Sequence, residues 1–244
     1  MSLFEPAAIL IVLGSFFSSF ISAAFAVGGG FIMLAIVSSA LPITAAVPLH
    51  SCMMLGLSLG RFWYFRREIC LRIVAPFLLG AVIGVSVGGR VYFDLSEFLL
   101  SLVIGLLILA AVWMPREVKW GVQFPVPFFW VGIAHAFLST LFSFGGLYQP
   151  LMLRAALSKL QIVGTLAAGL LFMNVFKISA YSYYGFDYRP YLSVILAAVF
   201  AAVPGAYLGK KLLHHIPEDR FRLIFSLIMT CFALRLLYRA WMLF

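Results

Sequence analysis

From residue 6 to residue 60 the chain carries no Asp, Glu, Lys or Arg. One uninterrupted helix over that run would extend roughly 80 Å, nearly three bilayer thicknesses. Breaks are required, and Gly28-Gly29-Gly30 and Pro42 supply them, because glycine and proline interrupt helices. The pattern predicts a helical hairpin followed by a third span ending at Arg61. Uncharged runs follow at 73–89, 98–115, 120–153 and 190–209, with further apolar stretches around 160–185 and 220–242. The run at 120–153 holds Gly145-Gly146 in its interior and reads as a second broken hairpin. The expectation is an all-α polytopic membrane protein of 8 to 10 transmembrane segments with glycine-broken hairpins.

Composition agrees. Of the 244 residues 64% are hydrophobic and 10% charged, with a mean hydropathy of +1.11, against about 45–50% apolar and about 25% charged in a soluble domain. A soluble globule is excluded. The net charge of +9 comes from basic residues between apolar stretches, where topology and anionic headgroups of the lipid bilayer account for them. A nucleic-acid partner is not expected. Cys52, Cys70 and Cys231 are too few and too scattered for a disulfide framework or a metal cluster, and no cofactor motif is evident. The start of the sequence lacks a basic n-region and leads into a long apolar stretch, so the first helix is expected to stay in the mature protein.

The sequence repeats. Gly29 and Gly145, Pro48 and Gly164, and Arg61 and Lys177 are each 116 positions apart; Gly84 and Gly205, Gly88 and Gly209, and Arg90 and Lys211 are each 121 apart. The chain is read as two repeats of one membrane domain, residues 1–119 and 120–244. Their charges give the relative orientation. Arg61, Arg66, Arg67 and Arg72 crowd one loop whose counterpart holds Arg189 alone, whereas the counterpart of the Arg90 loop holds Lys210, Lys211, Arg220 and Arg222. Opposite bias in equivalent loops indicates two inverted repeats under the positive-inside rule. With the basic loops inside a cell membrane, both termini face outward.

Every acidic residue falls at a span end or in a loop. Interior polar residues are neutral or basic: His50, Ser51, His135, Ser139, Thr140, Ser143, Tyr148, Gln149, Thr165, Asn174 and Lys177. Such a lining suits an anion rather than a cation. Gly28, Gly29, Gly30, Gly145 and Gly146 are candidate binding residues, since a glycine break exposes backbone N–H groups at a new helix N-terminus. Gly80, Gly84 and Gly88, and likewise Gly205 and Gly209, recur at the four-residue spacing of a packing seam. His50 and His135, inside spans, are the candidates to accept a co-transported proton, His50 being the better placed. Arg61 and Lys177 lie near span ends, where long cationic side chains snorkel, and Tyr181, Tyr183, Tyr184 and Tyr188 read as an interfacial belt. No catalytic constellation is evident, so an enzyme is not expected.

Four stretches together resemble the sulfite exporter TauE/SafE-like family of membrane permeases. They are Ala26-Val27-Gly28-Gly29-Gly30-Phe31, Ser143-Phe144-Gly145-Gly146, Lys159-Leu160-Gln161-Ile162-Val163-Gly164-Thr165, and the Gly-Ala-x-Leu-Gly segment from Gly205 to Gly209. The resemblance covers nearly the whole chain. It implies movement of small sulfur-containing or organic anions, such as sulfite, a sulfonate or sulfoacetate, across a bacterial-type cytoplasmic membrane. The resulting expectation is a permease with a small-anion site at the interface of its halves, lined by the two glycine breaks, His50, Ser51, Gln149 and Thr165. The alternative is an anion channel or passive facilitator. The sequence sets no oligomeric state.

Overall fold

A computed structural model describes residues 3–25, 29–113, 128–143, 147–152, 157–212 and 218–243. Every regular element among them is helical: α1 (Pro6–Phe25), α2 (Gly29–Ala40), α3 (Ile43–Phe65), α4 (Leu71–Asp94), α5 (Glu97–Trp113), α6 (Phe128–Phe142), α7 (Tyr148–Met152), α8 (Lys159–Tyr183), α9 (Leu192–Leu212) and α10 (Glu218–Met242). Single 3-10 turns lie at Arg66–Glu68 and Arg189–Tyr191.

The breaks fall where glycine and proline put them. Helix α1 ends at Phe25 and α2 begins at Gly29; α2 ends at Ala40, and α3 opens just after Pro42. The carbonyl of Pro42 accepts the N–H groups of Ala45 and Ala46 at 3.0 and 2.9 Å, so the proline opens a helix where its missing N–H costs nothing. Helix α8 starts on a capping box: Ser158 Oγ accepts the Gln161 N–H at 3.2 Å and Gln161 Oε1 accepts the Ser158 N–H at 3.1 Å.

Four helical stretches, Ile43–Glu68, Leu71–Asp94, Leu160–Tyr183 and Arg189–Gly209, are long and apolar enough to cross a membrane. Pro6–Ile21, Gly29–Ala40, Glu97–Ala110 and Phe128–Phe142 are shorter apolar helices. Large apolar side chains on α4 and α9, among them Leu79, Val87, Phe200 and Val203, are exposed, as side chains facing acyl chains must be. This is a membrane protein.

The chain divides into two compact units. The first comprises residues up to Leu57, Ser96–Met114 and Phe186–Phe244. In it α1 packs along α9 and α2, and α10 packs along α5. A Cβ added to Gly205 or Gly209 would lie 2.2 or 2.1 Å from the carbonyl oxygen of Phe16 or Phe20, so α1 and α9 touch backbone to backbone. Ser15 Oγ fastens the same seam by donating to the Ala198 carbonyl at 2.8 Å. Helices α5 and α10 are joined by Trp113 Nε1–H to Thr230 Oγ1 at 2.9 Å and by an Arg239–Glu97 ion pair at 2.7 Å.

The second unit comprises Ser58–Leu95 and Pro115–Gly185, with α4 packed on both α6 and α8. A Cβ on Gly80 or Gly84 would meet the carbonyl oxygens of Phe129 and Ile133 at 2.0 and 2.3 Å, and one on Gly132 would meet that of Phe77 at 2.1 Å. The predicted glycine seams are therefore lines of contact between helix backbones. Tyr181 departs from its expected place in an interfacial belt: it is buried, with its hydroxyl on the Thr140 carbonyl and its ring against Tyr92. Tyr183, two residues on, is exposed. The helical turn puts the first toward α4 and α6 and the second away from them.

Candidate functional site

In the first unit the start of α2 is held from its carbonyl side. Ser18 Oγ–H donates to the Gly29 carbonyl, and His50 Nε2–H donates to the Gly30 carbonyl at 2.9 Å. His50 and Ser51 are buried on α3, the latter with its hydroxyl 3.4 Å from the Val47 carbonyl. The structure thus brings Gly29, Gly30 and His50 together. Gly28 lies outside the described residues. Among the described residues, an added Cβ on Gly30 would meet Met54 Sδ at 3.4 Å and His50 Nε2 at 3.8 Å, ordinary contacts. Packing against the described residues does not require glycine there.

In the second unit the equivalent break follows α6. Gly145 and Gly146 lie outside the described residues, but their flanks are informative. Ser143 adopts φ of +53° as its N–H bonds the Ser139 carbonyl at 2.9 Å, the left-handed ending common after a helix but usually given to glycine or asparagine. Tyr148, the first residue of α7, is buried and fixed at three points. Its N–H donates to His135 Nδ1 at 3.2 Å, its hydroxyl donates to the Thr165 carbonyl at 3.2 Å, and its ring stacks on Phe77 with centroids 3.8 Å apart. Gly169 makes room for that ring, whose edge would lie 2.7 Å from an added Cβ. Gln149, next in sequence, is exposed.

Thr165 is buried on α8, where its Oγ1 accepts the Cys70 N–H at 3.0 Å just ahead of α4. Gly164 beside it lets α8 approach the Phe65 carbonyl, 2.7 Å from an added Cβ. The stretch ending Val163-Gly164-Thr165 therefore secures the turn between α3 and α4.

Lys177 corrects an expectation. It does not snorkel: it is 1% exposed, with Nζ donating to the Ser139 carbonyl at 2.8 Å and to Ser139 Oγ at 3.3 Å. The α6 carbonyls near the helix C-terminus, at the negative end of its dipole, draw the ammonium inward. Sequence reasoning included Lys177 and His135 in the lining but not among the binding residues; the partner of each lies on another helix, so no local signal marked them.

Buried polar side chains among the described residues are Ser, Thr, Asn, His and Lys, with no carboxylate. No group of three or more His, Cys, Asp or Glu among them could hold a metal ion. No curated protein and no solved structure matches the chain. The family model described as sulfite exporter TauE/SafE matches residues 11–236, nearly the entire length, and the chain accordingly belongs to the TauE/SafE sulfite exporter family.

Proposed function

We propose that this protein is a secondary carrier for a small sulfur-containing or organic anion, such as sulfite, a sulfonate or sulfoacetate, in the cell membrane. The observation that carries the anion is the buried polar set, in which, among the described residues, neutral donors and Lys177 occur without a carboxylate. A desolvated anion needs such donors, and a cation would find little to coordinate it. Family membership supports the sulfur chemistry.

Two inverted repeats, residues 1–119 and 120–244, are part of this reading. Matching contacts inside each unit support them. Gly84 and Gly88 lie against Ile133 and Phe137 on α6, while Gly205 and Gly209, each 121 positions later, lie against Phe16 and Phe20 on α1, each 117 positions earlier. Phe77 and Ala198 carry the same 121-position relation, and their carbonyls face Gly132 and Ser15, again 117 apart. The glycine start of α2 with His50 is the proposed contact of the first unit with the anion, and protonation of His50 the proposed coupling step.

Counterflow in proteoliposomes tests the reading. Vesicles preloaded with unlabelled sulfite should take up external labelled sulfite transiently above equilibrium, and the initial rate should saturate. Flux that rises linearly with concentration and shows no counterflow would make the protein a channel or passive facilitator.

A further inference from the structure

His135 and Ser139 share one face of α6, about 6 Å apart along the axis, and Ser143 follows directly on the last residue of the helix. The Lys177 ammonium is held on Ser139, as described. His135 is 0% exposed, and its Nδ1 accepts the Tyr148 N–H. A backbone amide only donates, so Nδ1 is unprotonated and the neutral ring carries its proton on Nε2. That Nε2–H is buried with no hydrogen-bond partner among the described residues, and the same is true of Ser143 Oγ. Two buried donors, four residues before and four residues after the serine that holds the ammonium, thus have no acceptor among the described residues.

A cap for the α6 C-terminus accounts for Lys177 alone. It leaves both donors unsatisfied, which a native interior ordinarily avoids. No carboxylate lies on α6, α7 or α8 that would serve as the acceptor. We propose that the second unit binds a small oxyanion, sulfite or a sulfonate, against the Lys177 ammonium, with the His135 Nε2–H as its principal hydrogen-bond donor and the Ser143 hydroxyl as a second. The oxyanion supplies the missing acceptors and a compensating charge together. Tyr148 is a positioning residue here: its N–H fixes the imidazole tautomer, and its contacts with Phe77, Gly169 and Thr165 fix the N–H.

This site rests on the anion-carrier reading, and the experiment separates the two. Full-length protein in lipid nanodiscs is titrated calorimetrically with sodium sulfite and with sodium methanesulfonate, sodium chloride serving as control. His135→Asn places an amide oxygen where Nδ1 accepts from Tyr148 but removes the Nε2–H. It should keep the parental unfolding temperature and weaken sulfite or methanesulfonate binding at least tenfold, whereas parental affinity overturns the site. If His135→Asn fails to fold, Ser143→Gly decides, because glycine suits the positive φ while removing the hydroxyl. It should weaken binding at least threefold, and parental affinity there overturns the site. In protein labelled with 15N-histidine, the Nε2 signal lost in His135→Asn should shift when sulfite is added; an unmoved signal under saturating sulfite also overturns the site. Parental sulfite counterflow in His135→Asn would discard this site and leave the carrier standing. Binding that depends on His135, in a protein that moves neither anion across a membrane, would do the reverse.

Discussion

Single residues in this chain divide into those fixed by packing and those with room to spare, and Gly30 is the clearest of the second kind. Among the described residues its added Cβ meets nothing closer than 3.4 Å, so Gly30→Ala should unfold within about 1 kcal/mol of the parent. If the anion approaches this backbone, the same substitution should lower transport at least tenfold. Parental transport would remove the start of α2 from the binding surface. Tyr148→Phe should cost about 1 kcal/mol for the lost bond to the Thr165 carbonyl. Gly169→Ala should cost more, because its methyl would sit 2.7 Å from a ring that Phe77 prevents from moving aside. Thermal unfolding in nanodiscs reads all three. A pH series of methanesulfonate affinity, with a ligand that does not itself titrate near neutrality, addresses His50: affinity should rise as pH falls through the neutral range, and His50→Gln, which can still donate to the Gly30 carbonyl but does not titrate there, should flatten that rise.

Helices carry their information in seams. The four-residue glycine spacing was legible as packing, and the partner helices were not, because periodicity marks a face without naming what covers it. Gly84→Ala and Gly205→Ala should each lower stability by about 2–3 kcal/mol or prevent folding, since the offending atoms are carbonyl oxygens that cannot rotate away. Glycine breaks and Pro42 were readable for a related reason: they act through local backbone chemistry. Long-range partners such as Lys177 with Ser139, or Thr165 with Cys70, leave no local trace. Hence a lysine near a span end read as a snorkelling side chain, although its ammonium is buried on a helix end 38 residues away. Tyr181 misled in the same way, since an aromatic near a span end looks alike whether it faces headgroups or a neighbouring helix.

For the molecule as a whole, hydropathy and charge decided class and membrane residence before any contact was known. The charge asymmetry that suggests inversion also makes the topology testable. In a cysteine-free background, cysteines replacing Arg67 and Lys211 should both be protected from an impermeant thiol reagent outside, and one replacing Arg189 should react. Labelling of Arg67 and Lys211 positions on opposite sides would refute inversion. The anchoring of Tyr148 has a further consequence, in the time domain. The opening amide of a five-residue helix ordinarily exchanges its hydrogen with solvent as fast as an open chain does, because no earlier turn offers it an acceptor. Here the acceptor is an imidazole nitrogen, so the Tyr148 amide should exchange orders of magnitude more slowly than its position implies. Any event that places a proton on Nδ1 should release it. Deuterium uptake at that one amide is therefore a clock on the state of His135, readable in the intact protein without a substitution.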